Sequence, residues 1–292
     1  MAKQRETARI HLIAAKNAPV AVIIRRKPSS LYHIIKWNLL NNTLEHGSWF
    51  KRDLYSMRCD LSWDGNLMIY LARGQTGEVW TGVCQIPRLT TILEFENCGS
   101  YNGGGIFWKP NLLLLNDPWK NEVTYKSDWP KNILVKHMET YESGDAPSVF
   151  YRLARDGWKL RLGSFDIDPF DDETALLTDS GNFRTNPWVS KPSKMHPELV
   201  ATYAGFIQGR KSKSAEYGGR SGDVLHFELD GFPGLLGPHV DWATWTNIGD
   251  LIWTQGGIVY RISLAGLLEG KEPKAFDLNE IERPTDRLTK IL

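Results

Sequence analysis

One short pattern recurs along most of this sequence: a strand, a tight polar turn and then a very apolar strand. The turns contain pairs such as Asp64-Gly65 and Pro110-Asn111, which supply the backbone angles that a hairpin needs. Clear copies span residues 61–70, 106–115 and 243–253, and looser copies span 14–24 and 189–203. Because helical periodicity is nearly absent, this repetition predicts an all-β fold built from short hairpins.

A second pattern follows the first: an apolar or aromatic strand that carries a Tyr or His near its start, except in the copy at 79–84, which has Trp80 there. Its copies span residues 31–37, 79–84, 149–153, 224–229 and 258–262, and a more polar fourth strand often follows, as at 91–95 and 274–278. Four strands repeated in this order are typical of a β-propeller blade. We predict one domain over residues 1–292 with five four-stranded blades. Six blades are the alternative, because the interval between the buried strands near 112 and 199 is close to two repeats.

The turn at residues 61–67 carries a family resemblance. Its sequence, Leu-Ser-Trp-Asp-Gly-Asn-Leu, is similar to the Ser-Pro-Asp-Gly-hydrophobic turn of TolB-like propellers, with Trp63 where that turn has proline. The chain resembles the WD40-like and TolB-like propeller superfamilies over most of its length. It lacks the Gly-His and Trp-Asp signature of true WD40 repeats. The resemblance implies a propeller fold and no specific activity.

The charge balance and the cysteines narrow the classes of partner. Net charge is +1, from 35 basic and 34 acidic residues, so a broad nucleic-acid interface is not expected. Cys59, Cys84 and Cys98 do not form the even, closely spaced set of a secreted disulfide framework, so we expect reduced thiols. With no apolar stretch of 18 residues and a polar N-terminus, we expect no membrane partner and a cytoplasmic location.

Recognised motifs for nucleophilic, nucleotide-dependent or zinc chemistry are absent from the sequence. There is no Gly-x-Ser-x-Gly elbow, P-loop, dinucleotide fingerprint, Cys-x-x-Cys pair or His-x-x-x-His pair. We therefore expect no cofactor and no metal.

The starts of the inner strands are the candidate ligand-binding positions, since propellers usually bind ligands at the mouth of the central channel. The eight candidates are Arg58, Asp60, Asn102, Gly103, Asn186, Trp188, His239 and Asp241. The run of three glycines that begins at Gly103 permits close approach of a ligand or, as we favour, of a neighbouring inner strand. Asp60 and Asp241 are the catalytic candidates, because glycoside hydrolysis needs two carboxyl groups about 5 to 9.5 Å apart.

Three long loops are expected, near residues 117–147, 165–185 and 208–222. The second loop contains Asp166, Asp168 and Asp171, whose carboxylates could hold Ca²⁺. The EF-hand pattern is missing there, so we favour a solvated acidic loop.

The leading functional hypothesis is a non-catalytic binding protein that uses a propeller face and tryptophan-bearing loops to bind a protein partner. It follows from the missing catalytic motifs, the long loops and the 12 tryptophans, since Trp and Tyr are common anchors at interfaces. The alternative is a carbohydrate-active propeller, either hydrolase-like or lectin-like, with carboxylates in the central channel.

Overall fold

The computed structural model describes residues 7–27, 30–97, 99–126, 128–138, 146–161, 187–207 and 222–284. Of the described residues, 49% lie in strands and 7% in helices, and the five small sheets form a five-bladed β-propeller. The predicted fold class is confirmed, and there are five blades rather than six. None of the helices in the described ranges has the length and hydropathy that a membrane crossing requires.

The strands follow one another blade by blade. Blade 1 contains β1 (Arg9–Ala14), β2 (Val20–Arg26), β3 (Leu31–Asn38) and β4 (Thr43–Lys51). Blade 2 contains β5 (Asp53–Leu54), β6 (Asp60–Leu61), β7 (Leu67–Arg73), β8 (Val79–Gln85) and β9 (Thr91–Asn97). Blade 3 contains β10 (Gly105–Lys109), β11 (Leu112–Leu115) and β13 (Leu134–His137), while β12 (Thr124–Tyr125) joins the outer edge of blade 2.

A ten-residue helix, α1 (Ala146–Arg155), separates blade 3 from blade 4. Blade 4 contains β14 (Lys159–Leu160), β15 (Trp188–Ser190), β16 (Leu199–Ile207) and β17 (Gly222–Leu229). Blade 5 contains β18 (Val240–Trp245), β19 (Asp250–Gln255), β20 (Ile258–Ser263) and β21 (Lys274–Asp277), with the short helix α2 (Leu264–Leu268) before its last strand.

The second strand is buried on both faces in four of the five predicted hairpins, because each blade packs between two neighbours; in the fifth, β16, Thr202 and Ala204 are exposed. All six residues of β7 from Leu67 to Ala72 are buried, as are the first five of β19. The turn before β7 is stabilised by its own polar residues: the Ser62 hydroxyl donates to Asp64 at 2.6 Å, and Gly65 adopts a φ of +71°. A left-handed φ of this kind favours glycine, so the Asp-Gly pair identified in the sequence positions this hairpin.

Blade 3 departs from the predicted pattern. Residues 149–153, which we expected to form an aromatic strand, lie inside α1. The third strand of blade 3 is instead β13, which pairs parallel to β11 with Leu112 opposite Leu134. The predicted long loop at 117–147 therefore contains β12 and β13. The other two predicted loops, at 165–185 and 208–222, lie outside the described residues except for Gly222, the first residue of β17.

The hydrophobic core lies between the blades. One buried cluster joins blades 1 and 2, a second joins blades 2 and 3, and the largest joins blades 1, 4 and 5 with α1. Among the described residues, the first and last blades share no strand, and side chains link them. Arg25 on β2 donates to the carbonyl oxygens of Leu278 and Asn279, just beyond β21, and the Thr254 hydroxyl donates to Ile10 O.

Candidate functional site

Helix α1 occupies the centre of the ring, where Arg152 contacts three blades. Its guanidinium donates to Cys59 O, just before β6, at 2.7 Å, and lies 3.3 Å from Nε2 of His11 on β1. The same group lies 4.8 Å from the ring centre of Trp242 on β18, within cation–π range. Cys59, His11 and Trp242 belong to the innermost segments of blades 2, 1 and 5.

The remaining blades contact α1 through other side chains of the helix. The Arg155 guanidinium donates to Phe107 O on β10 of blade 3 at 3.0 Å, and Tyr151 packs edge-on against Trp108. Phe150 stacks on Trp188 of β15 in blade 4, with ring centres 5.8 Å apart. A helix in contact with the inner parts of all five blades fills the axis of the ring.

Arg155 of the central helix α1 and Asp60 of blade 2 form a buried ion pair. The side chains are 2% and 1% exposed, and the Asp60 carboxylate also accepts from Phe107 N at 2.8 Å. Burial raises the pKa of Asp60, and the charges of Arg155 and Arg152 oppose that shift. Burial alone would lower the pKa of Arg155, yet Asp156 and Asp60 outweigh it and raise that pKa. Because Arg155 lies between two carboxylates, we treat the pair as ionised.

Part of the predicted channel mouth lies between blades 2 and 3, where the structure brings together Arg58, Asn102 and the glycine run. Arg58 is buried and donates to Ser100 O at 2.7 Å and Asn102 O at 3.3 Å. Gly103, the first of the three glycines, is buried and donates its amide proton to Asn116 O at 2.7 Å. A Cβ built on Gly104 would lie 2.3 Å from Arg58 O, so the second glycine allows two backbones to approach closely.

Asp60 and Asp241, the candidate catalytic pair, have separate partners. Asp60 lies beneath α1 and pairs with Arg155, whereas Asp241 accepts from Ile10 N at 3.3 Å on the blade 1 side of β18. His239 is exposed in the loop before β18, and Trp188 is buried under Phe150. Asn186 and the acidic residues Asp166, Asp168 and Asp171 lie outside the described residues. Within the described ranges, no group of three or more His, Cys, Asp or Glu side chains is arranged to hold a metal ion.

A second feature of interest is the excursion of the chain over residues 116–133, which leaves blade 3, pairs with the edge of blade 2 and returns. Its start is held by Asp117, which is fully buried, accepts from Asn121 N at 2.6 Å and lies 3.2 Å from Nδ1 of His137. The side chains of Trp119 and Tyr125 remain exposed, at 69% and 51%. Tyr101, at the same end of blade 3, is 77% exposed.

Sequence reasoning identified the loop that contains Trp119 but missed the residues that hold it. The Asn116-Asp117 pair directly after a buried strand is the signal that was available, because carboxylate and amide side chains there commonly cap turns. Twelve tryptophans occur in the chain; Trp119 is the exposed one, while six are buried and five are half-buried.

Comparison with known proteins found no protein-family model, no curated protein and no solved structure that matches the chain.

Proposed function

We propose that this propeller is a non-catalytic binding protein that holds a protein partner against the surface formed by Tyr101 and the excursion over residues 116–133. The propeller fold is consistent with a binding role. The observation that carries the proposal is Trp119, which is 69% exposed on a segment that the buried Asp117 holds in place. An aromatic ring presented on a rigid support loses little conformational entropy on binding, which makes it an efficient anchor.

The neighbourhood of Trp119 supports an extended surface. Gly103 and Asn116 are joined by a backbone hydrogen bond, so Tyr101 before the first and Trp119 after the second emerge at the same end of blade 3. Tyr125 packs edge-on against Trp129, with ring centres 5.9 Å apart, farther along the excursion. Two exposed aromatic rings on one segment, with a third at Tyr101, are typical of an interaction site.

The filled axis is the second reason for favouring a protein partner over the carbohydrate-active alternative. Glycoside hydrolysis needs two carboxyl groups flanking a substrate in an open site. Asp60 is 1% exposed and covered by α1, and Asp241 interacts with the backbone of a different blade. These contacts of Asp60 and Asp241 do not favour a carbohydrate site on the ring axis.

Site-specific photocrosslinking tests this proposal. The full chain would carry p-benzoylphenylalanine at Trp119 in its native host, and a control would carry it at Leu40, which is 72% exposed on blade 1. We expect a protein adduct at position 119 that is absent at position 40. With the purified partner, Trp119→Ala should weaken binding at least about tenfold, the usual effect of losing an interface anchor, whereas Leu40→Ala should not.

Two results would overturn the proposal. One is the same set of adducts, or no adduct, at both positions. The other is a partner whose affinity is unchanged by Trp119→Ala.

A further inference from the structure

The outer part of blade 2 contains a cavity of about 400 Å³ that is separate from the ring axis. It is lined by Trp80, Glu94, Phe95, Glu96, Glu122 and Thr124. Glu122 and Thr124 belong to the excursion that carries Trp119, so the cavity adjoins the surface proposed above to bind a partner.

Strand register places Trp80 and two of the lining glutamates on one face of the sheet. Trp80 on β8 lies opposite Glu96 on β9, and the next row on the same face contains Gly82 opposite Glu94. Gly82 has no side chain, and a Cβ there would lie 2.7 Å from the Tyr70 hydroxyl. The Tyr70 side chain therefore occupies the space over Gly82, next to the indole.

The indole of Trp80 is positioned by contacts on its inner side. Its Nε1–H donates to the Tyr70 hydroxyl at 3.4 Å, and that hydroxyl is within 2.7 Å of the Thr91 hydroxyl. Phe50 of blade 1 packs edge-on against the indole, with ring centres 6.1 Å apart. Trp80 is therefore a fixed, half-buried wall of the cavity rather than a mobile surface side chain.

The charges around the cavity are unbalanced. Glu94 forms an ion pair with Lys126 at 3.6 Å, so one carboxylate is already matched by a cation of this chain. In the part of the chain that the structure describes, Glu96 and Glu122 are exposed and form no ion pair. Two uncompensated carboxylates beside an aromatic wall give the cavity a negative potential, which favours a cationic ligand.

We propose that this cavity binds an arginine side chain of a protein partner. A guanidinium is the side-chain cation that both stacks on an indole face and donates in parallel to carboxylates, which matches Trp80 with Glu96 and Glu122. The inference rests on the proposed function only for the source of the arginine. The chemistry of the cavity is independent of the partner's identity.

Titration of the full chain with N-acetyl-arginine amide tests the cavity directly. Binding is followed in ¹⁵N-labelled protein by the indole N–H resonance of Trp80, assigned from its loss in Trp80→Phe. For one small cation we expect a Kd on the order of millimolar. N-acetyl-lysine amide should bind several-fold more weakly, and N-acetyl-glutamine amide should not shift the resonance.

The matched variants are Glu96→Gln/Glu122→Gln and, as control, Glu272→Gln, whose side chain is exposed on blade 5. The double variant should bind the arginine amide at least about tenfold more weakly, and the control should bind normally. Removing two like charges should leave the thermal midpoint unchanged or raise it, so lost binding would not report unfolding.

Three results would overturn the arginine site. The first is an equal shift of the Trp80 resonance with the arginine and glutamine amides, and the second is unchanged binding in the double variant. The third is displacement of the arginine amide by millimolar Mg²⁺ or Ca²⁺, which would make the carboxylates a metal site. Failure here with a specific adduct at Trp119 would leave the proposed function standing. Guanidinium binding without any adduct at Trp119 would support the arginine site in the cavity and contradict the proposed protein partner.

Discussion

Arg155 of the central helix and Asp60 of blade 2 form an ion pair on the axis of the ring, with both side chains almost completely buried. Removing one partner leaves the other charge buried, which typically costs about 3–5 kcal/mol. We expect a loss of this size in the free energy of unfolding for Asp60→Ala, measured by urea denaturation. Asp60→Leu/Arg155→Met should lose less than the two single changes together, because both charges leave. Single-variant losses below about 1 kcal/mol would show that the pair does not hold the helix in place.

The central helix is also the feature that sequence reasoning assigned wrongly, for a physical reason. Val149, Phe150, Tyr151, Arg152 and Leu153 are all buried, because inner strands surround α1 on every side. The five residues 149–153, taken alone, are short and mostly apolar, which also fits a buried strand. Over the whole helix, Ser148, Arg152 and Arg155 recur at i, i+4 and i+7, so a helical signal was present in the sequence. The similarity of Phe150-Tyr-Arg-Leu153 to Val259-Tyr-Arg-Ile262 reinforced the strand assignment.

The glycine at position 104 gives a second prediction, for which the chain offers a matched control. Gly104 and Gly231 both adopt a φ of +74°, but a Cβ on Gly104 would lie 2.3 Å from Arg58 O, and a Cβ on Gly231 would meet nothing within 4 Å. Gly231→Ala should therefore cost only the backbone strain, about 1 kcal/mol. Gly104→Ala should cost about 3 kcal/mol or more, because a steric clash is added.

Chemical denaturation of both variants measures the difference. Equal losses would mean that the inner segments of blades 2 and 3 separate easily and that close packing does not explain the glycine run.

The pH dependence of stability should report His33. Its imidazole is buried between Trp49 and His46, and neither ring nitrogen has a hydrogen-bond partner among the described residues. Burial lowers the pKa of His33 to about 4, and the nearby His46 and Arg25 add to the shift. Between this value and the unfolded value near 6.5, the unfolded chain binds more protons, so stability falls as pH is lowered through that window.

We expect stability at pH 4.5 to be lower than at pH 7, with about 1–3 kcal/mol of the difference due to His33. His33→Phe should remove this part of the difference. His226→Phe is the control, because His226, on β17 of blade 4, is exposed. If both variants retain the full pH dependence, other groups cause it.

The candidate site shows a similar division between what sequence can and cannot predict. The repeat placed Asp60 correctly at the start of an inner strand, because strand starts follow from local turn chemistry. Its partner Arg155 is separated from it by 95 residues, and no local signal pairs them. Likewise, the sequence marks Trp80 as an aromatic strand residue, but the register that brings Glu96 and Gly82 beside it is a property of the assembled sheet.

Closure of the ring gives the last prediction. Arg261 on β20 donates to Asp250 on β19 at 2.6 Å and reaches across to blade 1, where it donates to Leu39 O and to the Asn42 side chain. This guanidinium is one of the bridges between the last blade and the first, and it is largely shielded from solvent. Arg261→Met should lower the free energy of unfolding by about 2–3 kcal/mol, because it leaves Asp250 and a backbone carbonyl without their charged donor.

Lys271→Ala in the same blade is the control, since Lys271 and Glu269 form an exposed ion pair whose loss should cost less than about 1 kcal/mol. Native-state hydrogen exchange locates the effect. Arg261→Met should speed exchange of the β1 and β19 amides, which face each other across the closure, more than exchange in blade 3. Uniform acceleration in all blades would mean that the ring opens only by global unfolding, and that Arg261 stabilises the whole fold rather than its closure.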